Sequence, residues 1–222
     1  RNGNSLEEIR VDVYRTEEEQ VEAIKAWWRE NGRSAVFGVV LGLAAIFGWR
    51  GWQAWETARA EAASALYEEM LGAMRDGKSG EAGKAGEKLV SEYAGTAHAV
   101  FARLTLAGLA VDAKDLAAAA EHLRKALEHN EDPALETEIS LRLARVLAAR
   151  SEFDAALALI TNPATTDSYR AAIDELRGDI EAARGNLEAA REAYGKARSG
   201  AAGAPDELLE LKLESLGSRA DS

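Results

Sequence analysis

The sequence predicts an all-α chain in which a single N-terminal transmembrane helix is followed by a solenoid of paired helices. Two observations carry this reading. Residues 34–49, SAVFGVVLGLAAIFGW, contain no charged side chain. Farther along, small residues at Ala85, Ala119, Ala156 and Ala190 recur 34, 37 and 34 positions apart. Each is followed four positions later by a larger apolar residue: Leu89, Leu123, Ile160 and Tyr194. A period of this length means one helical pair per repeat, no pair burying its own apolar face without its neighbours.

The apolar run is short for a membrane span. Its residues reach about 24 Å at the helical rise, against a hydrocarbon core of about 30 Å, so the flanks must contribute. Arg33 and Arg50 close the two ends and can extend their charged heads towards headgroups. Trp27 and Trp28 precede the run, and Trp49, Trp52 and Trp55 end it, so all five tryptophans lie where interfacial aromatics belong. A cleaved signal peptide is disfavoured, because an acidic leader precedes the run and WRGWQAW follows it in place of a small-residue cleavage site. Arg15, Lys25, Arg29 and Arg33 before the span outnumber Arg50 and Arg59 after it, which places the N-terminus inside. Gly38 and Gly42 form a GxxxG with Ala45 near the same face. That pattern admits a closely packed partner helix, or is incidental in a glycine-bearing membrane helix.

Taken in order, residues 1–15 show no sustained periodicity and read as a mobile tail. Thr16 and Glu19 fit a capping box, opening an amphipathic helix with Val21, Ile24, Trp27 and Trp28 near one face. Asn31 and Gly32 are expected to interrupt it before the anchor. The division is therefore 1–33 for the tail with its surface helix, 34–55 for the anchor and 56–222 for the repeat domain. A further helix is expected over Thr57 to Arg75.

Residues 72–79 contain Gly72, Gly77, Lys78 and Ser79 at the spacing of a phosphate-binding P-loop. That chemistry needs a buried strand before the loop and a helix N-terminus after it. A helical last turn is expected before it instead, so the match reads as coincidental. From Gly178 on, Gly185, Leu187, Ala190, Tyr194 and Ala197 fit the spacing of a tetratricopeptide repeat. Ala144, Phe153, Ala156 and Ile160 repeat it, and before them Ala107, Leu116, Ala119, Leu123 and Ala126, with the extra residues assigned to the loop at Pro133. Pro205 and the run DELLELKLESL are expected to form a helix capping the stack.

Several functions are disfavoured by composition. The net charge of −11, carried mostly by the repeat domain, repels phosphate backbones and argues against nucleic acid as a partner. Without cysteine there is no disulfide, thiol catalysis or thiolate-bound metal. His98, His122 and His129 lack an obvious third metal ligand, and adjacent acids such as Glu68 and Glu69 point apart on a helix. No cofactor is expected and no enzyme is indicated. In a tetratricopeptide stack the first helix of each pair lines the concave side, which by register includes Tyr67, Met70, Met74, Phe101, Leu104, Val111 and Leu141. These positions suit a peptide or partner-helix groove, and suit a core beneath the first helix better still.

EEEQVEAIKAWWRENG, the anchor ending GWRGWQ, SLRLARVL and LRGDIEAARGNLEAAREAY together resemble the YfgM family of bacterial inner-membrane proteins. The resemblance runs from about Val13 to Leu216, is less distinctive from Thr57 to His98, and leaves out residues 1–12. It implies a non-enzymatic ancillary subunit of the SecYEG translocon in the plasma membrane, with a cytoplasmic N-terminus and a periplasmic repeat domain. It further implies association with the membrane-anchored chaperone PpiD and transfer of secretory polypeptides to periplasmic folding factors. The other functional class that fits the groove is a holdase binding unfolded clients directly.

Overall fold

The computed structural model describes the backbone of residues 5–161, 169–200 and 207–220, and the side chains of 19–161, 169–200 and 207–217. Thr16, as a capping side chain, and Pro205 lie outside what is described. The chain divides into a unit up to Ala58 and a second from Arg59.

The first unit consists of α1, which runs Ser5–Arg75 and continues into the second. This corrects three expectations: helix begins within the presumed tail, passes through Thr16, and is not broken at Asn31–Gly32. The reason is that nothing before Pro133 is a proline, and one internal glycine costs a helix only about 1 kcal/mol. Local contacts also support the Asn-Gly step. Asn31 Nδ2 donates to the Trp27 carbonyl at 3.2 Å. The Trp28 ring covers Gly32, 3.5 Å from where a Cβ would sit. Thr57 to Arg75 is therefore the end of α1 and not a separate helix.

In the second unit the end of α1 pairs with α2 (Ser79–Glu92), α3 (Ala97–Asp112) with α4 (Leu116–Glu128), α5 (Pro133–Ala149) with α6 (Phe153–Ile160), and α7 (Arg170–Ala183) with α8 (Leu187–Gly200). A last helix, α9 (Glu207–Ala220), packs on α8. Several starts are capped as the local sequence dictates. Thr96 Oγ1 accepts from the Ala99 amide, Asp115 Oδ1 from Ala118 and Asp132 Oδ1 from Ala134, with Pro133 in the first turn of α5.

Each pair turns in the same way. Gly77, Lys114, Ser151 and Gly185 adopt positive φ between 62° and 83°. At each, the residue's own amide bonds three positions back and the next amide bonds five back: Gly77 to Met74 with Lys78 to Ala73, Lys114 to Val111 with Asp115 to Ala110, Ser151 to Ala148 with Glu152 to Leu147, and Gly185 to Ala182 with Asn186 to Glu181. These are Schellman closures, which satisfy the last carbonyls of the preceding helix. Lys114 and Ser151 hold this conformation against their Cβ atoms. Lys114→Gly and Ser151→Gly should each raise unfolding free energy by about 0.5–1 kcal/mol in urea titrations, and Gly185→Ala should lower it by a similar amount.

This left-handed residue fixes the true register. Ala119, Ala156 and Ala190 each follow it by five positions, but in the first pair that position is Ala82 and not Ala85. Both are buried, so periodicity alone does not separate them. The large-residue series is correspondingly Gly86, Leu123, Ile160 and Tyr194. The position facing it, seven before the turn, is Met70, Ala107, Ala144 and Gly178. Three pairs put the small residue on the first helix, and the first pair reverses it. A Cβ on Gly86 would lie 2.7 Å from Met70 Cε, and one on Gly178 only 2.4 Å from the Tyr194 ring.

Three apolar clusters follow along the stack: one around Met70, Leu89 and Leu106, a central one around Leu123, Ile139 and Ile180, and a C-terminal one in which Leu209 and Leu216 cover Tyr194. The expected cap is thus present, although Leu208 and Leu211 on α9 point to solvent. Lys212 ties α9 to α7, 2.6 Å from Glu175 and 2.7 Å from Asp179, and Asp179 also accepts from the Tyr194 hydroxyl at 2.8 Å. Burial alone would lower the Lys212 pKa, but the hydrogen bonds and charges of Asp179 and Glu175 outweigh it and raise it above the ordinary lysine value.

Candidate functional site

The 57 residues from Glu19 to Arg75 form a helix long and apolar enough to cross a membrane, and none of its apolar window is buried. Val21, Ile24, Trp27 and Trp28 are exposed, as are Trp49 and Trp52. The rings lie tilted against each other in neighbouring pairs, Trp27 with Trp28 at 6.5 Å between centroids and Trp49 with Trp52 at 5.1 Å. Arg33 and Arg50 are exposed beside them. Beyond the helix's own backbone, no described heavy atom lies within 4 Å of a Cβ added at Gly38 or Gly42, so their backbone is open to close approach. Apolar surface of this extent facing outward has a physical use in lipid or against another membrane helix.

The residues proposed for the groove separate into two groups. Met70 and Leu141 are interior, 0% and 2% exposed, and belong to the packing of their repeats. Tyr67, Phe101 and Met74 reach the surface. The Tyr67 ring lies 6.3 Å from Phe101 and 5.8 Å from His98, while Phe101 and Met74 are 41% and 37% exposed. Leu104 and Val111 line an open cleft of about 370 Å³ between α3, α4 and α5. Its other walls include Gly108 and Asp112 from α3, Leu123 from α4, and Arg142 and Arg145 from α5. Gly108 and Arg145 were not anticipated. They occupy the same register position in successive repeats, a relation visible only once the turn residues at 114 and 151 align them.

The P-loop pattern is accounted for by the turn geometry. Gly72 is helical, Gly77 is the left-handed closing residue, and the amides of Asp76, Gly77 and Lys78 all donate back into α1. A helix does start at Ser79, so one requirement of the motif is met, but α1 stands where the strand must be. Lys78 lies 3.4 Å from Glu81 and 3.8 Å from Asp76, held by its own neighbours.

The histidines are dispersed. His98 packs on Tyr67, and a ring nitrogen of His129 bonds the Lys125 carbonyl at 2.9 Å as α4 ends. Among the described residues no group of three His, Asp or Glu side chains is placed to hold a metal. His122 is mostly buried, with Nε2 3.5 Å from Glu87. Burial lowers its pKa, Glu87 opposes this, and Arg103 and Lys125 reinforce it. The unfolded chain thus binds this proton more readily than the folded one. Stability should fall as pH drops below about 6.5 and level off beneath the depressed folded value. Urea titrations from pH 7.5 to 5.0 should show a smaller loss in His122→Leu than in the parent chain.

A stack of helical pairs closed by a capping helix, with an open cleft between first helices, defines a repeat protein of the tetratricopeptide class. A family model described as a tetratricopeptide repeat-like domain matches residues 25–218. The chain is 37% identical over 147 residues to the ancillary SecYEG translocon subunit of Escherichia coli K12, covering 66% of this chain and 70% of that protein. It is 32% identical to the protein of the same description from Haemophilus influenzae, covering 90% and 97%, and 30% identical to that of Aggregatibacter actinomycetemcomitans at the same coverage. The chain belongs to this family, the YfgM family of ancillary SecYEG translocon subunits. The solved structure of Pseudomonas aeruginosa pilF resembles it in fold, with a TM-score of 0.57 at 20% identity over 74% of this chain and 71% of that one.

Proposed function

We propose that this chain is a non-enzymatic adaptor of the SecYEG translocon, held in the inner membrane by α1 with its N-terminus in the cytoplasm and its repeat stack in the periplasm. There the stack engages a PpiD-like membrane-anchored chaperone and brings it to emerging secretory polypeptides. The observation that carries this reading is the near full-length similarity to relatives described as ancillary SecYEG translocon subunits, joined to an apolar helix with no covering of its own. The basic bias before the span supports the orientation.

Gly38 and Gly42 are the proposed contact with a translocon helix, and Trp27, Trp28, Arg33, Trp49, Arg50 and Trp52 the proposed interface anchors. Gly42→Ile adds a branched side chain where close approach is needed, and no described side chain obstructs it. Recovery of SecYEG with the tagged full chain from detergent-solubilised membranes should fall severalfold, at unchanged membrane content. Unchanged recovery would remove the glycine contact. Failure of the unaltered chain to recover SecYEG would remove the adaptor reading.

The holdase reading has its own support in the exposed Phe101, Val111 and Met74. Hydrogen exchange distinguishes the two. Protection across residues 101–141 by an unfolded model protein alone favours direct client binding, whereas protection only with the chaperone favours the adaptor.

A further inference from the structure

We infer that the cleft between α3 and α5 is a docking site for a partner segment that presents bulky aliphatic side chains next to a side-chain carboxylate. This rests on the adaptor reading and specifies the chemistry of what the repeat stack holds. Two features select that occupant. The first is shape and polarity. The cavity, about 370 Å³, is at the small end of ligand-sized sites, and its walls are mainly aliphatic, with Leu104, Val111 and Val146 among them. The space exists in part because Gly108 has no side chain, and an added Cβ there would meet nothing within 4 Å.

The second feature is charge. Arg142 is held by Glu138 at 2.6 Å, one helical turn away. Arg145 lines the same cleft, and no described side chain forms an ion pair or hydrogen bond with it. In a chain with 38 acidic against 27 basic residues carboxylates are abundant, and Asp112 of α3 lines the same cleft, yet no described carboxylate, Asp112 included, is within ion-pair distance of this guanidinium. An exposed arginine at the edge of an apolar cleft supplies a planar, always charged donor that a carboxylate meets with two hydrogen bonds. Aliphatic side chains would fill the cleft while the neighbouring acid closes on Arg145. A partner bearing lysine there would face the guanidinium and be rejected.

The test uses the full chain in nanodiscs and fluorescence anisotropy of labelled, end-blocked peptides of sequence Gly-Leu-Leu-X-Gly, with X as Glu, Gln or Lys. The Glu peptide should bind roughly three- to tenfold more tightly than the Gln peptide, and the Lys peptide more weakly still. Arg145→Ala should abolish the preference for Glu while retaining the residual affinity of the Gln peptide. Arg145→Glu should reverse the order of the Glu and Lys peptides. Gly108→Leu, which fills the cleft at a position with room for it, should remove binding of all three. Equal binding of Glu and Gln peptides, absence of binding, or undiminished binding to Gly108→Leu would each overturn the proposal. So would a preference seen only when the peptide carries a free C-terminal carboxylate. SecYEG recovery measured on the same variants keeps the two readings apart, since Arg145→Ala and Gly108→Leu leave the anchor intact and should recover the translocon normally.

Discussion

Met70→Ala should destabilise the repeat domain by about 2–5 kcal/mol, the range for emptying a fully buried site of this size. Met70 is 0% exposed, and its Cε lies where a Cβ on Gly86 would intrude. The two residues share one space that the other repeats divide in the opposite sense, with Ala107 facing Leu123 and Ala144 facing Ile160. Gly86→Leu alone should therefore also destabilise, by about 1–3 kcal/mol through overpacking. Combined with Met70→Ala it should recover at least 1 kcal/mol relative to Met70→Ala, because the first pair then has the size order of its neighbours. Urea unfolding of all four chains gives the coupling directly. Additive losses would mean that the reversed pair does not occupy a common site. Leu106, 3.0 Å from the same position, limits how complete the recovery can be.

Gly178→Ala is expected to cost about 2–3 kcal/mol and to loosen the C-terminal end more than the rest. The new Cβ would fall 2.4 Å from two atoms of the Tyr194 ring, a distance that requires the ring to move. Overpacking of this kind costs about 1–3 kcal/mol, and the displaced hydroxyl loses its bond to Asp179 at about 1 kcal/mol more. Better helix propensity returns at most about 1 kcal/mol. Since Asp179 also holds Lys212, the disturbance reaches α9, and hydrogen exchange should rise in 187–200 and 207–220 before it rises in α3 or α4. Tyr194→Leu in the Gly178→Ala background should restore part of the loss, leucine being the residue found at this register position in the second pair. Uniform loosening along the whole stack would contradict this local account, because each repeat touches only its neighbours.

The repeat architecture was largely legible. Ala119, Ala156 and Ala190 and their large partners are interior, and the capping helix covers Tyr194, because small and large residues spaced by one helical turn leave few packing alternatives. The first repeat was the difficult one. Its large-residue position holds glycine, so the pattern of alanine followed by a large residue falls instead on Ala85 and Leu89, three places on. Which of the first-helix positions are exposed was not legible for a related reason. First-helix register identifies which residues face the concave side, but whether that side is open at a given level depends on the neighbouring helix, and at Met70 and Leu141 it is closed.

The run from Ser34 to Trp49, the flanking tryptophans and arginines, and the recurring helix pairs were determined by the sequence alone, because apolar length and helical period are properties of the chain itself. The continuity of α1 through Asn31–Gly32 was missed although its contacts are local, Trp28 over Gly32 and Asn31 on the Trp27 carbonyl, because a breaker rule weighs Asn and Gly without the side chains one turn earlier. The common left-handed turn at Gly77, Lys114, Ser151 and Gly185 was hidden for another reason, since two of the four are not glycine and the same pair of backbone hydrogen bonds closes all four, a bond pattern that no residue type marks. The cleft beside Arg145 was decided last of all, by three helices meeting around a glycine, and a space between elements has no representation in any one of them.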